Sequence, residues 1–554
     1  MDLQRRSNPA APRRPTSGGV PANAAFSAPS LMPSGMFYDL SFSAAAERSD
    51  RNPATWRRPL LCWLDAVEAG WAVPLLLAVF VAMWTAYLSI AYSGAGLHPD
   101  VLETWTFGRD FGWGYAKHPP LMGWIAGAWT TLFPTSDWSL HLMAMTNAAV
   151  ALWFVDLVSR RFMAGDKRVI VLLLLMLTPA YQFHAQRFNA NSVQLATWPL
   201  ATYCFLRAFE TRNLLWSVAT GVAAAITLLG KYYSIFLLIS FALAALAHPQ
   251  RRAYYGSASP WISGAVGLAA LWLHLDWLAA NDGAPIHHAM THARSDISTS
   301  LRDSLFFVLG LLAAMAVPAV TWIVVAGSRI KHVGAEMAAL DNGLRLLFYV
   351  AIGTVALPVI NAVVMGTDLP SLWALQGLFL FVVVVVGGAS YEIKRFHTVN
   401  MAVMTATIAL AAVTIGAPLH AYYRNSYGYE EGRTFYRQTA EEATRLWREQ
   451  TGRPLKHVSG TESLALATAF YSPDHPYYAL PATAQRHLQD TETNITNPEG
   501  WVLLCFEDQQ DCIESAEAIA VAGRNSTRHA FALQSRLFGW PGRTRGVVAF
   551  LVTR

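Results

Sequence analysis

The chain has 554 residues, of which 54% are hydrophobic and 14% charged, with a mean hydropathy of +0.29 and a net charge of +5. Soluble domains carry about 25% charged residues, so this composition indicates a membrane protein rather than a soluble one. In a membrane protein a positive net charge mostly reflects Lys and Arg in cytoplasmic loops. The sequence has no basic segment interleaved with aromatic residues, so it does not predict a nucleic-acid partner.

The first segment, residues 1–58, is rich in Pro, Ala, Ser and Arg. It lacks the apolar stretch of a cleavable signal peptide. We predict a disordered tail, held on the cytoplasmic side by its arginines.

Apolar runs close to the ~20 residues that cross a bilayer follow this tail. The candidate spans are 71–93, 138–160, 168–184, 191–208, 213–230, 232–247, 260–280, 303–327, 344–365, 371–390 and 398–418. Alternate loops are rich in Lys and Arg, which predicts a cytoplasmic N-terminus and an external C-terminus. We therefore expect a mainly α, polytopic membrane domain over residues 59–418, with about eleven transmembrane helices and an external loop at 94–137.

Two carboxylates, Asp100 and Glu103, lie three residues apart in this loop. In a helix this spacing puts both on one face, and Pro99 suits the first helical turn. A carboxylate at the outer surface is suited to act as a general base on an acceptor group. The alternative is that Asp100 only caps the helix.

Tyr115, Lys117 and His118 close the polar part of the loop and precede a Pro-Pro pair. Cations at a membrane interface can bind phosphate or lipid headgroups. The alternative is a lysine that anchors at the interface beside a structural histidine. Residues 120–133 are apolar but too short to span, which predicts an interfacial or re-entrant helix.

Two further polar groups fall at the predicted outer face. Arg187, Asn189 and Asn191 open the fourth span, where arginine suits a phosphate and asparagine suits sugar hydroxyls. Lys231, followed by Tyr232, lies between two apolar runs, where a lone lysine is costly unless it is paired. The alternatives are helix capping by Asn189 and interfacial anchoring by Lys231.

After residue 418 the composition becomes that of a soluble domain. Residues 430–450 have the pattern of an amphipathic helix, and short β-rich runs begin at His457, Trp501 and Gly546. We expect a small external α/β domain over residues 419–554. Cys505 and Cys512 would form a disulfide in an oxidising compartment, and a free pair is the alternative.

Three histidines, His287, His288 and His292, lie in another external loop. They come without a nearby cysteine or an HExxH pattern, so we expect no metal site. The sequence contains no nucleotide-binding or serine-hydrolase motif.

The external loop resembles that of bacterial members of glycosyltransferase family 39, GT-C membrane enzymes related to protein O-mannosyltransferases and to the lipid A aminoarabinose transferase. Asp100 falls at the family's Asp, and Gly114 to Leu121 (GYAKHPPL) matches the end of its motif. The runs FNANS from residue 188 and GKY from residue 230 also fit. Val101 and Asn191 depart from the pattern, since the family often has Glu and Asp there, and Glu103 is a candidate replacement.

The resemblance implies a polyprenyl-phosphate-linked monosaccharide as donor and no cofactor. An acceptor would attack the anomeric carbon with inversion, Asp100 would be its base, and Lys231 would stabilise the departing phosphate with Arg187, Lys117 or His118. We expect a bacterial inner-membrane enzyme with its site on the periplasmic side. A lipid or envelope-glycan acceptor such as lipid A is favoured over a protein. The alternatives are a lipid-linked sugar transporter or flippase and a scaffold with a periplasmic partner-binding domain.

Overall fold

The computed structural model describes residues 57–292, 296–478, 500–522 and 525–553. The predicted disordered tail therefore lies almost wholly outside the described residues. The helices are α1 (Arg58–Asp65), α2 (Ala72–Ala91), α3 (Pro99–Arg109), α4 (Leu121–Leu132), α5 (Asp137–Ser159), α6 (Asp166–Met176), α7 (Ala190–Thr211), α8 (Leu214–Gly230), α9 (Ile235–Ala247), α10 (Arg251–Tyr255), α11 (Ser259–Ala280), α12 (Ala284–His292), α13 (Ile297–Ala326), α14 (Val333–Ala338), α15 (Asn342–Met365), α16 (Leu378–Gly388), α17 (Arg395–Ala411), α18 (Ala417–Tyr427), α19 (Tyr436–Thr451), α20 (Glu462–Tyr471) and α21 (Gln510–Ala522).

The membrane domain is built from apolar helices, as predicted. In the described part of the chain, seven helical segments are long and apolar enough to cross a membrane: Ala72–Ala91, Asp137–Ser159, Ser259–Ala280, Ile297–Ala338, Asn342–Met365, Ser371–Gly388 and Arg395–Tyr427. Two shorter apolar helices occupy Leu214–Gly230 and Tyr232–Ala247. All eleven predicted spans fall on helical segments, but the count of eleven is not confirmed. The protein is a multi-pass membrane protein.

Helices α3 and α4 occupy the predicted external loop and pack closely against each other. A Cβ atom on Gly108 would lie 2.6 Å from the backbone nitrogen of Gly127 and 2.8 Å from the carbonyl oxygen of Gly123. Glycine at these contacts lets the two backbones approach, which fixes the helix that carries Asp100. Helix α4, at 12 residues, confirms the short helix predicted for residues 120–133.

The C-terminal region forms the predicted small sheet domain. Its strands are β1 (His457–Gly460), β2 (Tyr477–Tyr478), β3 (Trp501–Phe506), β4 (Asn525–Leu537) and β5 (Trp540–Thr553). Their order in the sheet is β2-β1-β3-β5-β4. Strand β1 is parallel to β2 and β3, whereas β5 is antiparallel to β3 and β4. Every residue of β3 is buried, so this central strand anchors the domain core.

Helices α19 and α20 join this sheet to the membrane domain. The predicted amphipathic helix is α19, which begins at Tyr436, six residues later than the sequence pattern indicated. Helix α20 packs against both α19 and α3. The C-terminal domain is therefore in direct contact with the helix that carries the candidate base.

Candidate active site

Asp100 lies in the first turn of α3, with a carboxylate that solvent can reach. The helix is capped by His98, whose Nδ1 accepts a hydrogen bond from the Asp100 backbone N–H at 3.2 Å, and Pro99 occupies the first position. The alternative that the Asp100 side chain caps the helix is therefore wrong. Its side chain is 40% exposed and its Oδ1 lies 3.5 Å from His98 Nδ1.

Asn189 connects Asp100 to the start of α7. The Asn189 Nδ2 donates to Asp100 Oδ2 at 2.7 Å. The Oδ1 of the same side chain accepts from the backbone N–H groups of Asn191 and Ser192 at 2.9 and 3.0 Å. The alternative role of Asn189 as a helix cap is thus correct, and the cap also orients the Asp100 carboxylate.

These contacts keep Asp100 ionised. Partial burial raises the pKa of Asp100, but the contact with His98, the hydrogen bond from Asn189 and the charge of Arg187 outweigh burial and lower the pKa to about 2. A carboxylate in this state can accept, but not donate, a hydrogen bond at neutral pH. Asp100 is therefore available to accept a hydrogen bond from a hydroxyl or amine group.

Lys231 lies in the turn between α8 and α9, outside both helices. Its Nζ donates to Asn191 Oδ1 and lies 3.7 Å from the centroid of the Trp373 ring. Within the described residues, no carboxylate forms an ion pair with this ammonium group. Burial lowers the pKa of Lys231 to about 7. An anion that entered here would supply the charge that the protein leaves out.

Asn191 is the residue that gives Lys231 an uncharged hydrogen-bond partner. An asparagine here accepts a hydrogen bond from Lys231 but brings no charge, whereas an aspartate at this position would form an ion pair. Asp100, Asn189, Asn191 and Lys231 thus form one connected polar group, in which the capped first turn of α7 links the Asp100 carboxylate to Lys231.

Tyr232, beside Lys231, belongs to a second chain of hydrogen bonds. Its hydroxyl lies 2.9 Å from His274 Nε2, and His274 Nδ1 lies 2.6 Å from the carbonyl oxygen of Trp113. A carbonyl oxygen can only accept, so Nδ1 carries the proton and Nε2 accepts from the Tyr232 hydroxyl. This chain ties the aromatic external loop to the turn that holds Lys231.

Glu103 forms a separate cluster with Lys117. The Lys117 Nζ donates to Glu103 Oε1 at 3.0 Å and also to Glu462 of α20, while His118 Nε2 lies 3.9 Å from Glu103 Oε2. Burial raises the pKa of Glu103, and Lys117 offsets this only in part. For Lys117, burial lowers the pKa but Glu103 and Glu462 more than compensate, so the pKa is raised.

The remaining predicted residues lie at the edges of these clusters. Tyr115 stacks on Phe107 at 4.6 Å between ring centroids, and its hydroxyl donates to the Asp110 carbonyl oxygen at 3.2 Å. Arg187 is exposed, and its guanidinium makes no hydrogen bond or ion pair with the described residues. Its positive charge lowers the pKa of Asp100.

The C-terminal domain packs against α3. Arg109 donates to the backbone oxygens of His475 and Pro476, each at 2.8 Å. Trp105 packs edge-on against Phe470 with ring centroids 5.0 Å apart. These contacts fix the middle and the C-terminal end of α3.

Two predictions lie away from this site. Cys505 and Cys512 are joined by a disulfide with their Cα atoms 5.8 Å apart. His287 is exposed, and the side chains of His288 and His292 lie outside the described residues, so the expectation of no metal there stays a prediction.

Sequence reasoning missed four members of the site. His98 lies two residues before Asp100, but histidine is not one of the residue types that usually cap a helix. Glu462 lies 345 residues from its partner Lys117, and His274 and Trp373 lie on distant apolar segments. No local sequence signal identifies these three.

Comparisons with known proteins give a consistent result. Residues 117–277 match the family model of dolichyl-phosphate-mannose-protein mannosyltransferase. The fold resembles the crystal structure of ArnT from Cupriavidus metallidurans bound to undecaprenyl phosphate, with 14% identity, a TM-score of 0.55 and coverage of 87% of this chain and 98% of that chain. The apo structure of the same protein matches at 13% identity with a TM-score of 0.53 and the same coverage. No curated protein matches the sequence. The predicted GT-C fold and the resemblance to glycosyltransferase family 39 are confirmed.

Proposed function

We propose that this protein is a membrane glycosyltransferase that moves a monosaccharide from a polyprenyl-phosphate donor to an acceptor, with inversion and with Asp100 as base. The matched family model and the GT-C fold support a glycosyltransferase. The ArnT structure contains undecaprenyl phosphate, which supports a polyprenyl lipid as the substrate carrier here.

One observation carries the proposal: an ionised carboxylate and a lysine without a carboxylate partner are joined through the same helix start. Asp100 bonds to Asn189, and Lys231 bonds to Asn191, two residues further along. A transfer from a lipid phosphate needs both groups, because a proton leaves the acceptor while negative charge grows on the phosphate.

The chemical step can be written from these two groups. The acceptor oxygen forms a bond to the anomeric carbon as its proton passes to Asp100, and the bond from that carbon to the phosphate oxygen breaks. The polyprenyl phosphate leaves with one additional negative charge, which Lys231 is placed to stabilise, with exposed Arg187 as a second cation. A single displacement inverts the anomeric configuration.

We assign the acceptor to the lipid or envelope-glycan class and the reaction to the periplasmic face of a bacterial inner membrane. The predicted orientation places α3, α4 and the turn at Lys231 on the same external side. The described external loops are compact, and no peptide-binding module is evident in them.

The test is glycosyl transfer by purified protein, with a panel of undecaprenyl-phosphate sugars and a membrane-lipid extract. The key variant is Asp100→Asn, and Asp110→Asn is the matched control, since Asp110 is an exposed carboxylate of the same external segment. Loss of a general base lowers rates by about 10²–10⁴-fold. We expect that loss in Asp100→Asn and near-normal transfer in Asp110→Asn.

Two results would contradict the proposal in different ways. Equal transfer by the wild type and Asp100→Asn would remove Asp100 as the base and leave Glu103 as the candidate. Transport of a lipid-linked sugar across vesicles by both proteins, with no glycosylated product from any donor, would favour the transporter alternative.

A further inference from the structure

The β4–β5 hairpin ends in a bulky apolar tip that none of the described residues covers. Phe538 is 89% exposed and Trp540 is 70% exposed. Phe538 and Gly539 form the turn, with φ of 48° and 89°. Turns of this kind favour Asn, Asp and Gly, so a phenylalanine at positive φ is costly. Its presence at a solvent-facing tip points to a contact outside the protein.

The tip lies where membrane spans end. Asn425 of α18 donates from Nδ2 to the Trp540 carbonyl oxygen at 3.3 Å, and Ser535 Oγ donates to the Asn425 carbonyl oxygen at 3.2 Å. Helix α18 is the end of the apolar segment Arg395–Tyr427. The hairpin is therefore attached to the last turns of a membrane-spanning segment.

The end of a second candidate span also lies beside the hairpin. A Cβ atom on Gly94 would lie 3.3 Å from Leu537 Cδ1, the residue that precedes the turn. Gly94 lies three residues beyond the end of the span Ala72–Ala91. The ends of two candidate membrane spans thus lie beside the hairpin.

The surface beside the tip has the composition of a lipid interface. Tyr422, Tyr423 and Tyr427 of α18 are exposed, and aromatic residues of this kind collect at membrane–water interfaces. Arg536 and Arg543 are also exposed. Basic side chains at this level attract anionic lipid headgroups.

We propose that the hairpin tip inserts Phe538 and Trp540 into the interfacial region of the bilayer while Arg536 contacts anionic phospholipid headgroups. The occupant of this apolar surface is the bilayer itself, because the surface is continuous with the exposed tyrosines of α18 at the end of a candidate membrane span. The insertion holds the C-terminal domain at the membrane, and α20 of that domain carries Glu462 to the active-site loop. This inference does not depend on the transfer chemistry.

The test places a spin label on the tip of the full-length protein in nanodiscs of phosphatidylethanolamine and phosphatidylglycerol. Phe538→Cys is labelled in a Cys62→Ser background, since Cys204 is buried and the other two cysteines form a disulfide. Val521→Cys is the matched control, because Val521 is 84% exposed on α21 of the same domain. Collision with oxygen, which partitions into lipid, is compared with collision with a water-soluble nickel chelate.

We expect a several-fold higher ratio of oxygen to nickel accessibility at position 538 than at position 521. Adding Arg536→Glu should lower the ratio at 538 in nanodiscs with phosphatidylglycerol but not in nanodiscs of phosphatidylcholine alone. A label at 538 that is as open to nickel as the label at 521 would overturn the proposal. A ratio unchanged by Arg536→Glu in both lipids would overturn the headgroup contact.

Discussion

Lys231 and Lys117 are two lysines of the same candidate site with opposite surroundings. Lys117 has two carboxylate partners, Glu103 and Glu462. Lys231 has an uncharged partner, Asn191, and an aromatic ring, Trp373. The comparison shows that surroundings, more than residue type, decide which cation is available to a phosphate. Lys117 is already neutralised by the protein, whereas Lys231 gains a counter-charge only when an anion arrives.

The largest effect that would sharpen this comparison is on catalysis. Replacing Lys231 by methionine removes the cation that meets the leaving phosphate, and loss of one such group costs about 10²–10³-fold in rate. We expect a loss of that size in kcat for transfer from an undecaprenyl-phosphate sugar. Lys331→Met, at an exposed lysine of a distant loop, is the control and should transfer normally.

The second prediction concerns the pH dependence of donor affinity, which should follow the protonation of Lys231. A phosphodiester donor keeps one negative charge from pH 5 to 9, so any change in its affinity comes from the protein. Lys231, with a pKa of about 7 when no donor is bound, binds the anion best when protonated. Affinity should be full below pH 7 and fall about tenfold per pH unit above it, until the pKa of the bound state is reached.

Lys231→Arg provides the control for that profile. Arginine stays protonated throughout this range, so the affinity of this variant should be flat from pH 6 to 9. A wild-type profile that is also flat would contradict the assignment of the donor phosphate to Lys231.

A smaller effect is expected when the two lysines are made alike. Asn191→Asp gives Lys231 a carboxylate partner, and an opposite charge at this distance raises a lysine pKa by about 1–3 units. The fall in donor affinity should then move upward by at least one pH unit, measured by the same titration. Asn213→Asp, at the cap of α8, is a matched control that should leave the profile in place.

Much of this site was predictable because its chemistry is local in the sequence. Asp100, Asn189, Asn191 and Lys231 each lie at a boundary between an apolar run and a polar turn, where polar side chains are informative. The connection from Asn189 to Asp100 was not predictable, because it depends on how α3 packs beside α7. The pairing of Lys117 was also hidden, since Glu462 belongs to a helix of the C-terminal domain.

The fold also has parts that were predictable from the sequence and parts that were not. The apolar helices and the buried strand β3 follow from hydrophobic runs. Strand β4 was missed because its first four residues, Asn525 to Arg528, are polar and exposed and lack the alternation that marks a half-buried strand. The predicted run at Gly546 was only the buried part of β5, which begins at Trp540.

The most direct test of the central claim is to measure thermal unfolding and glycosyl transfer on the same preparations of Lys231→Met and Lys117→Met. Removing Lys117 leaves Glu103 without its partner, which costs about 1–3 kcal/mol of stability. Removing Lys231 deletes a buried cation without a carboxylate partner, so stability should be kept while transfer is lost. We expect a lower melting temperature only for Lys117→Met and the greater loss of transfer per folded molecule for Lys231→Met. A destabilised Lys231→Met protein whose folded fraction transfers normally would contradict the account.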